Sequence, residues 1–186
     1  MAQSSAELAE VGTTNRTYLS DYAAAINERT AALLRVHASN YRISGFVHQP
    51  SLQELAALAH ERGLPLLDDL GSGTLLDTAE FGLSHEPTVQ EAVAAGADLV
   101  TFSGDKLMGG PQAGIVVGRS DLVERLKLWP LTRALRVDKC TIAGIQANLR
   151  HYLRGETAQR IPVWQMLAHS ETTLRERAET LAHLAD

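Results

Sequence analysis

Lys106 is the residue from which chemistry can be built, because it sits in Leu99-Val100-Thr101-Phe102-Ser103-Gly104-Asp105-Lys106-Leu107-Met108-Gly109-Gly110. An amine is a nucleophile toward carbonyl carbon, so a lysine carried out on a loop at a strand end could form a Schiff base. Leu99, Val100 and Phe102 read as a buried strand that stops at small and polar residues. Gly109, Gly110, Pro111 and Gly114 then let the backbone lie close to a ligand before Ile115-Val116-Val117 starts another strand. The same residues also describe a solvated lysine on a Gly-rich turn. They do not describe a phosphate-binding loop, since Lys106 precedes the glycine pair and neither Ser nor Thr follows it.

A second group with chemical capacity is Asp68-Asp69, at the end of the apolar run Leu64-Pro65-Leu66-Leu67. Pyridoxal phosphate is an electron sink only while its ring nitrogen is protonated, and a nearby carboxylate holds that proton. A carboxylate and a lysine at neighbouring strand ends are therefore what an internal aldimine of that cofactor requires. Asp69 is the first candidate and Asp68 the competing one, while a helix cap or a solvated turn would use both differently. Arg133 and Arg136 are spaced i, i+3. Two guanidinium forks suit an anion, and the same spacing suits a solvated helical face.

The elements that must position these groups can be read from caps and periodicity. Ser20 is a good N-cap for a helix over Asp21 to Glu28, and Leu33 to His37 reads as a strand. Ser51 with Glu54 forms a capping box ahead of the stripe Leu52, Leu55, Leu58 and Ala59, which Gly63 ends. A helix over Thr88 to Ala95 stops at Gly96. This alternation predicts parallel βα units, in which ligands gather at the carboxyl ends of the strands. Ser39-Asn40, Asp68-Asp69 and Asp105-Lys106 all fall at such ends. Beyond Gly118 the pattern turns helical, over Asp121 to Leu128, Asp138 to Leu153, Ile161 to Met166 and Glu171 to Leu184. In the second of these Ile142, Ile145, Leu149 and Leu153 share a face. A division into residues 1–128 and 129–186 follows, and Met1 to Glu10 read as a frayed end.

Composition narrows the function classes. The 186 residues are 45% hydrophobic and 21% charged, as in globular domains, and a net charge of −5 predicts no broad basic surface for nucleic acid. The single cysteine, Cys140, excludes an internal disulfide and a cysteine metal cluster, fits a reducing cytoplasm, and is expected to be buried. No apolar run approaches the roughly 20 residues of a membrane helix. The expectation is a soluble cytoplasmic protein without a metal site.

Three motifs, His37-Ala38-Ser39-Asn40-Tyr41-Arg42-Ile43, Asp69-Leu70-Gly71-Ser72-Gly73 and Phe102-Ser103-Gly104-Asp105-Lys106, together resemble the bacterial selenocysteine synthase family, also called L-seryl-tRNA(Sec) selenium transferases. The resemblance extends from Glu10-Val11-Gly12-Thr13-Thr14-Asn15-Arg16-Thr17 through Arg133 to Lys139, and on toward Tyr152. It implies an α/β fold, namely part of the large domain of a fold-type I pyridoxal phosphate enzyme, with a mostly parallel sheet flanked by helices and the start of a helical small domain. It also implies pyridoxal phosphate on Lys106, with Asp69, Asn40 and Ser103 as further cofactor contacts and Asp105 tuning the lysine. Arg133 and Arg136 would meet selenophosphate, and Arg16 and Arg42 are secondary candidates for anion contacts. The implied reaction dehydrates seryl-tRNA(Sec) to an aminoacrylyl intermediate that accepts selenium, in a homo-oligomeric ring with active sites between subunits. The family's proteins are longer, with a tRNA-binding region and a phosphate cup ahead of the part matched here, so this chain resembles a fragment with weak cofactor binding. Two other readings use the same residues: a fold-type I lyase or sulfur-handling enzyme on a small amino acid, and an inactive fragment that serves only as an interaction module.

Overall fold

In a computed structural model describing residues 5–185, several helices begin where a side chain satisfies free N–H groups of the first turn. Ser51 accepts from Glu54 N–H while Glu54 accepts from Ser51 N–H, opening α2 (Leu52–Glu61). Thr88 and Glu91 do the same for α3 (Val89–Ala94). The first helix corrects the sequence reading. α1 spans Leu19–Ala25 and starts after Tyr18 rather than Ser20, because Asp21 reaches back to accept the Tyr18 N–H at 2.8 Å.

Four strands form one sheet in the order β1 (Leu33–Val36), β2 (Leu66–Gly71), β3 (Leu99–Ser103), β4 (Gly114–Gly118). The first three run parallel, as the βα alternation predicts, and β4 returns antiparallel to β3 through the lysine loop. Asp68 and Asp69 lie inside β2 and not in the loop after it. Leu66, Asp68 and Leu70 alternate onto the buried face of that strand, where α2 contributes Leu52, Leu55, Leu58 and Ala59. Leu55, Leu66 and Leu70 are almost wholly buried, and each such side chain contributes about 1.5 to 3 kcal/mol.

The rest of the chain is helical: α4 (Ser120–Leu128), α5 (Pro130–Leu135), α6 (Lys139–Leu153), α7 (Thr157–Arg160), α8 (Pro162–Leu167) and α9 (Glu171–Ala185). α6 begins where Asp138 accepts from the Cys140 and Thr141 N–H groups, and it ends near Gly155, which has φ +65°. One expectation fails on this helix. Cys140 is exposed, because it lies in the first turn on the side away from the sheet. Of the shared apolar face, Ile145 packs inward together with Asn148 and Tyr152, while Ile142 and Leu149 are exposed and Leu153 is 88% exposed. Polar anchoring to the lysine loop sets the orientation of α6. The expected frayed end at Met1 to Glu10 lies partly outside the described residues, which begin at Ser5. Among the described residues no helix is long and apolar enough to cross a membrane.

Candidate active site

The carboxyl ends of β1, β2 and β3 bring three of the sequence motifs together. Asp69 pairs in register with Val36 and with Thr101, and its backbone carbonyl accepts the His37 N–H at 2.9 Å. Gly71 closes β2 with φ +70°, a conformation that strains any residue with a Cβ. A Cβ built there would stand 3.5 Å from Ser39 Oγ and 3.7 Å from Lys106 Nζ. The missing side chain thus leaves open the space in front of the ammonium group.

Lys106 is exposed, and among the described residues its ammonium makes no hydrogen bond or ion pair. The peptide unit after it is held by both of its polar groups: Leu107 N–H donates to the Ser72 carbonyl at 3.0 Å, and the Lys106 carbonyl accepts from Gly109 N–H at 2.9 Å. A free amine on a fixed backbone is the arrangement a covalent lysine needs. Asp105 is exposed beside it without an ion pair to it, and Ser103 ends β3 three residues before it.

The two aspartates of β2 are separated by the alternation of the strand. Asp68 is fully buried and both its oxygens are taken by Arg35, Nε to Oδ1 at 2.6 Å and Nη2 to Oδ2 at 2.9 Å. Asp69 faces the other way and is exposed, with Oδ1 accepting from the Thr101 hydroxyl at 2.8 Å. A carboxylate already engaged by a guanidinium fork has little left for a ligand, whereas Asp69 keeps an oxygen available. Nearby, Ser72 Oγ is buried without a hydrogen-bond partner. Such orphaned hydroxyls are uncommon, and they cluster where strain or a ligand accounts for them.

Asn40 lies one step away. It lines a cavity of about 570 Å³ with His37, Ser39, Arg42 and Glu86, where His37 Nε2 and Glu86 Oε1 are 3.0 Å apart. Ser39 belongs to both places, since it lines this cavity and faces the space over Gly71. Arg16 is engaged elsewhere: Nε donates to the Phe46 carbonyl at 3.3 Å and the guanidinium lies 5.6 Å from that ring's centre. Arg133 and Arg136 are not gathered in. Arg133 is exposed on α5, and Arg136 lies just beyond that helix in extended conformation, so the two do not share one helical turn. The open Gly71 space, the unengaged Lys106 amine, the available Asp69 oxygen and the orphaned Ser72 hydroxyl fit pyridoxal phosphate.

Sequence reasoning missed Arg35, Ser72, Asn148 and Tyr152. A signal existed for Arg35 and Asp68 in the period-2 pattern of their strands, which puts Asp68 on the same face as Leu66 and Leu70. The other three are visible only from contacts across the fold.

A family model described as L-seryl-tRNA selenium transferase matches residues 1–186. The L-seryl-tRNA(Sec) selenium transferase of Desulfovibrio desulfuricans is 57% identical over 183 residues, 98% of this chain and 38% of that protein. The one of Rhizobium meliloti is 55% identical over 183 residues, 98% of this chain and 39% of that protein. The chain thus spans about two fifths of the length of the relatives it matches. Among solved structures, a D-glucosaminate-6-phosphate ammonia-lyase is 28% identical, with TM-score 0.65 over 82% of this chain and 37% of that one. A cystathionine gamma-lyase from Lactobacillus plantarum, complexed with L-serine, is 18% identical with TM-score 0.55, covering 74% of this chain and 33% of that one. The latter likeness concerns the fold, and the sheet with its flanking helices is part of a fold-type I large domain.

Proposed function

Because the chain belongs to the L-seryl-tRNA selenium transferase family, we propose that it supplies the lysine-bearing part of an enzyme that converts seryl-tRNA(Sec) to selenocysteinyl-tRNA(Sec) with selenophosphate. The observation that carries this reading is the free Lys106 amine held over Gly71 at the strand ends. Pyridoxal phosphate, when bound, supplies an electron sink for the serine α-carbon. Lys106 would hold the cofactor and, with its amine free, would take the serine α-proton and give a proton to the departing hydroxyl. Asp69, its carboxylate oriented by the Thr101 hydroxyl, would hold the proton on the cofactor's ring nitrogen.

Asn40 and Ser103 complete the cofactor contacts in this reading, and Asp105 tunes the lysine. Arg133 and Arg136 are exposed cations that place positive charge toward an anionic selenium donor when the rest of the enzyme folds against α5. Residues 129–186 begin the small domain. In this reading the complete enzyme is a cytoplasmic homo-oligomer, and the apolar Phe46, Leu128 and Leu135, which are 82%, 83% and 79% exposed here, are surface for the rest of the protein or a second copy to cover.

The test is to reduce the cofactor-loaded complete enzyme with borohydride and map the modified peptide. The sequence has three lysines in this part, Lys106, Lys127 and Lys139. The cofactor is expected on Lys106, and a label on either of the others with Lys106 untouched overturns the assignment. Turnover of free serine with none of seryl-tRNA would replace the proposed substrate by a small amino acid.

A further inference from the structure

The lysine loop is fastened from a direction that its own strands do not account for. Asn148 Nδ2 donates to the Met108 carbonyl at 2.7 Å, and the Tyr152 hydroxyl donates to the same carbonyl at 2.9 Å, with the Leu107 carbonyl 3.3 Å away. Both side chains come from α6, one turn apart, 40 and 44 residues beyond Met108. Trp164, fully buried on α8, donates its indole N–H to the Tyr152 oxygen at 2.8 Å. That bond occupies a lone pair on the phenol and directs its proton toward the carbonyl. Burial pushes the Tyr152 hydroxyl up to about 12, so it remains a donor at neutral pH.

The contact is close enough to be specific. Gly109 has φ +75°, and a Cβ there would collide with Ile161 and come within 2.9 Å of Val163 Cγ1. Met108 is 1% exposed, so the loop is pinned by its side chain as well as by its carbonyl. Gly110 N–H donates to the Gly104 carbonyl at 2.8 Å and closes the loop on itself. Within this frame only Asp105 and Lys106 project outward, and two converging donors on one carbonyl fix the segment immediately after the lysine.

We propose that Asn148 and Tyr152, with Trp164 behind them, are positioning residues that hold Lys106 for the cofactor by gripping the Met108 carbonyl. This rests on the reading of Lys106 as the cofactor lysine. It makes the helical segment after the sheet part of the active-site frame although it touches no reacting atom.

Two measurements on Tyr152→Phe and Asn148→Ala test it. In the 186-residue chain, amide hydrogen exchange over residues 104–110 should accelerate about two- to tenfold in each variant, the effect of one lost hydrogen bond, while exchange in β2 and β3 stays at the wild-type rate. Exchange that is unchanged at 104–110, or raised equally in β2 and β3, overturns the grip. In the complete enzyme stripped of cofactor, the rate of spectral return on adding pyridoxal phosphate should fall by a similar factor, and Trp164→Phe should show a smaller fall than Tyr152→Phe. An unchanged return rate in both Tyr152→Phe and Asn148→Ala, with selective loop exchange, overturns the positioning role. Borohydride mapping to a lysine other than Lys106 defeats the cofactor reading instead, and the exchange result still decides whether α6 grips the loop.

Discussion

At the amino ends of the strands, Asp98 uses both of its carboxylate oxygens. Oδ2 accepts from the Leu66 N–H at 2.8 Å and lies 2.9 Å from His60 Nε2, and Oδ1 accepts from Arg119 Nη1 at 3.0 Å. At the carboxyl ends of the same strands, Asp69 is engaged only by Thr101 in the contacts described, Lys106 has no side-chain partner among the described residues, and Ser72 Oγ is buried and unbonded. Asp68, one residue from Asp69 in β2, belongs with the saturated group, since Arg35 takes both of its oxygens. A polar group that is saturated by the fold stabilises it, and one that is left with capacity is available to a ligand.

The sharpest way to break this contrast is to remove the partner of a saturated acid. Arg35→Ala leaves the Asp68 carboxylate buried without its counter-ion, and unfolding in urea should show a loss of about 3 to 5 kcal/mol. Asp98→Ala strands the Leu66 N–H and releases His60 and Arg119, for a loss of roughly 2 to 4 kcal/mol in the same assay. A loss below about 1 kcal/mol in either variant would mean that the saturated acids hold no more of the fold than the open ones.

The pH dependence refines the same comparison. Burial pushes the Asp98 carboxyl up, but the bonds from Leu66 N–H, His60 and Arg119 outweigh it and leave the group below its ordinary 3.8. A carboxyl depressed in the folded state contributes stability that is present above its unfolded value and is lost as pH falls through the folded one. Stability of the chain should therefore drop as acid is added below about pH 4, and Asp98→Asn should show a shallower drop. Equal slopes in urea titrations across that window would show that Asp98 is not a source of the acid sensitivity.

The smallest effects are expected at the open end. Asp69→Ala removes one exposed hydrogen bond and should cost no more than about 1 kcal/mol, and Lys106→Ala should lie within about 0.5 kcal/mol of wild type. Both should nevertheless impair cofactor loading of the complete enzyme. A large stability loss in Lys106→Ala would place that lysine with the structural residues.

Much of this molecule is legible in the order of its residues. Ser51 with Glu54, Thr88 with Glu91, and Asp138 with Cys140 and Thr141 mark helix starts because their hydrogen bonds span three residues or fewer. Gly63 and Gly96 mark stops, with φ +66° and +100°, because the left-handed backbone conformation needed there is strained for a residue with a Cβ. The strand alternation and the lysine loop were readable for the same local reason, and with the motifs they placed Lys106 and Asp69 at the carboxyl ends of neighbouring parallel strands. What tertiary structure alone decided are the choices between neighbours. Strand register sent Asp68 to Arg35 and left Asp69 open. Docking of α6 buried Asn148 and half-buried Tyr152 instead of the Leu149 and Leu153 side of the helix, and left Cys140 exposed. The partners in these cases lie 33 residues apart for Arg35 and Asp68, and 44 for Tyr152 and Met108, so no local pattern encodes them. The Arg35–Asp68 pair needs β1 and β2 in register and the Tyr152–Met108 bond needs α6 packed on the lysine loop, because a long-range hydrogen bond is selected by the three-dimensional positions of both groups.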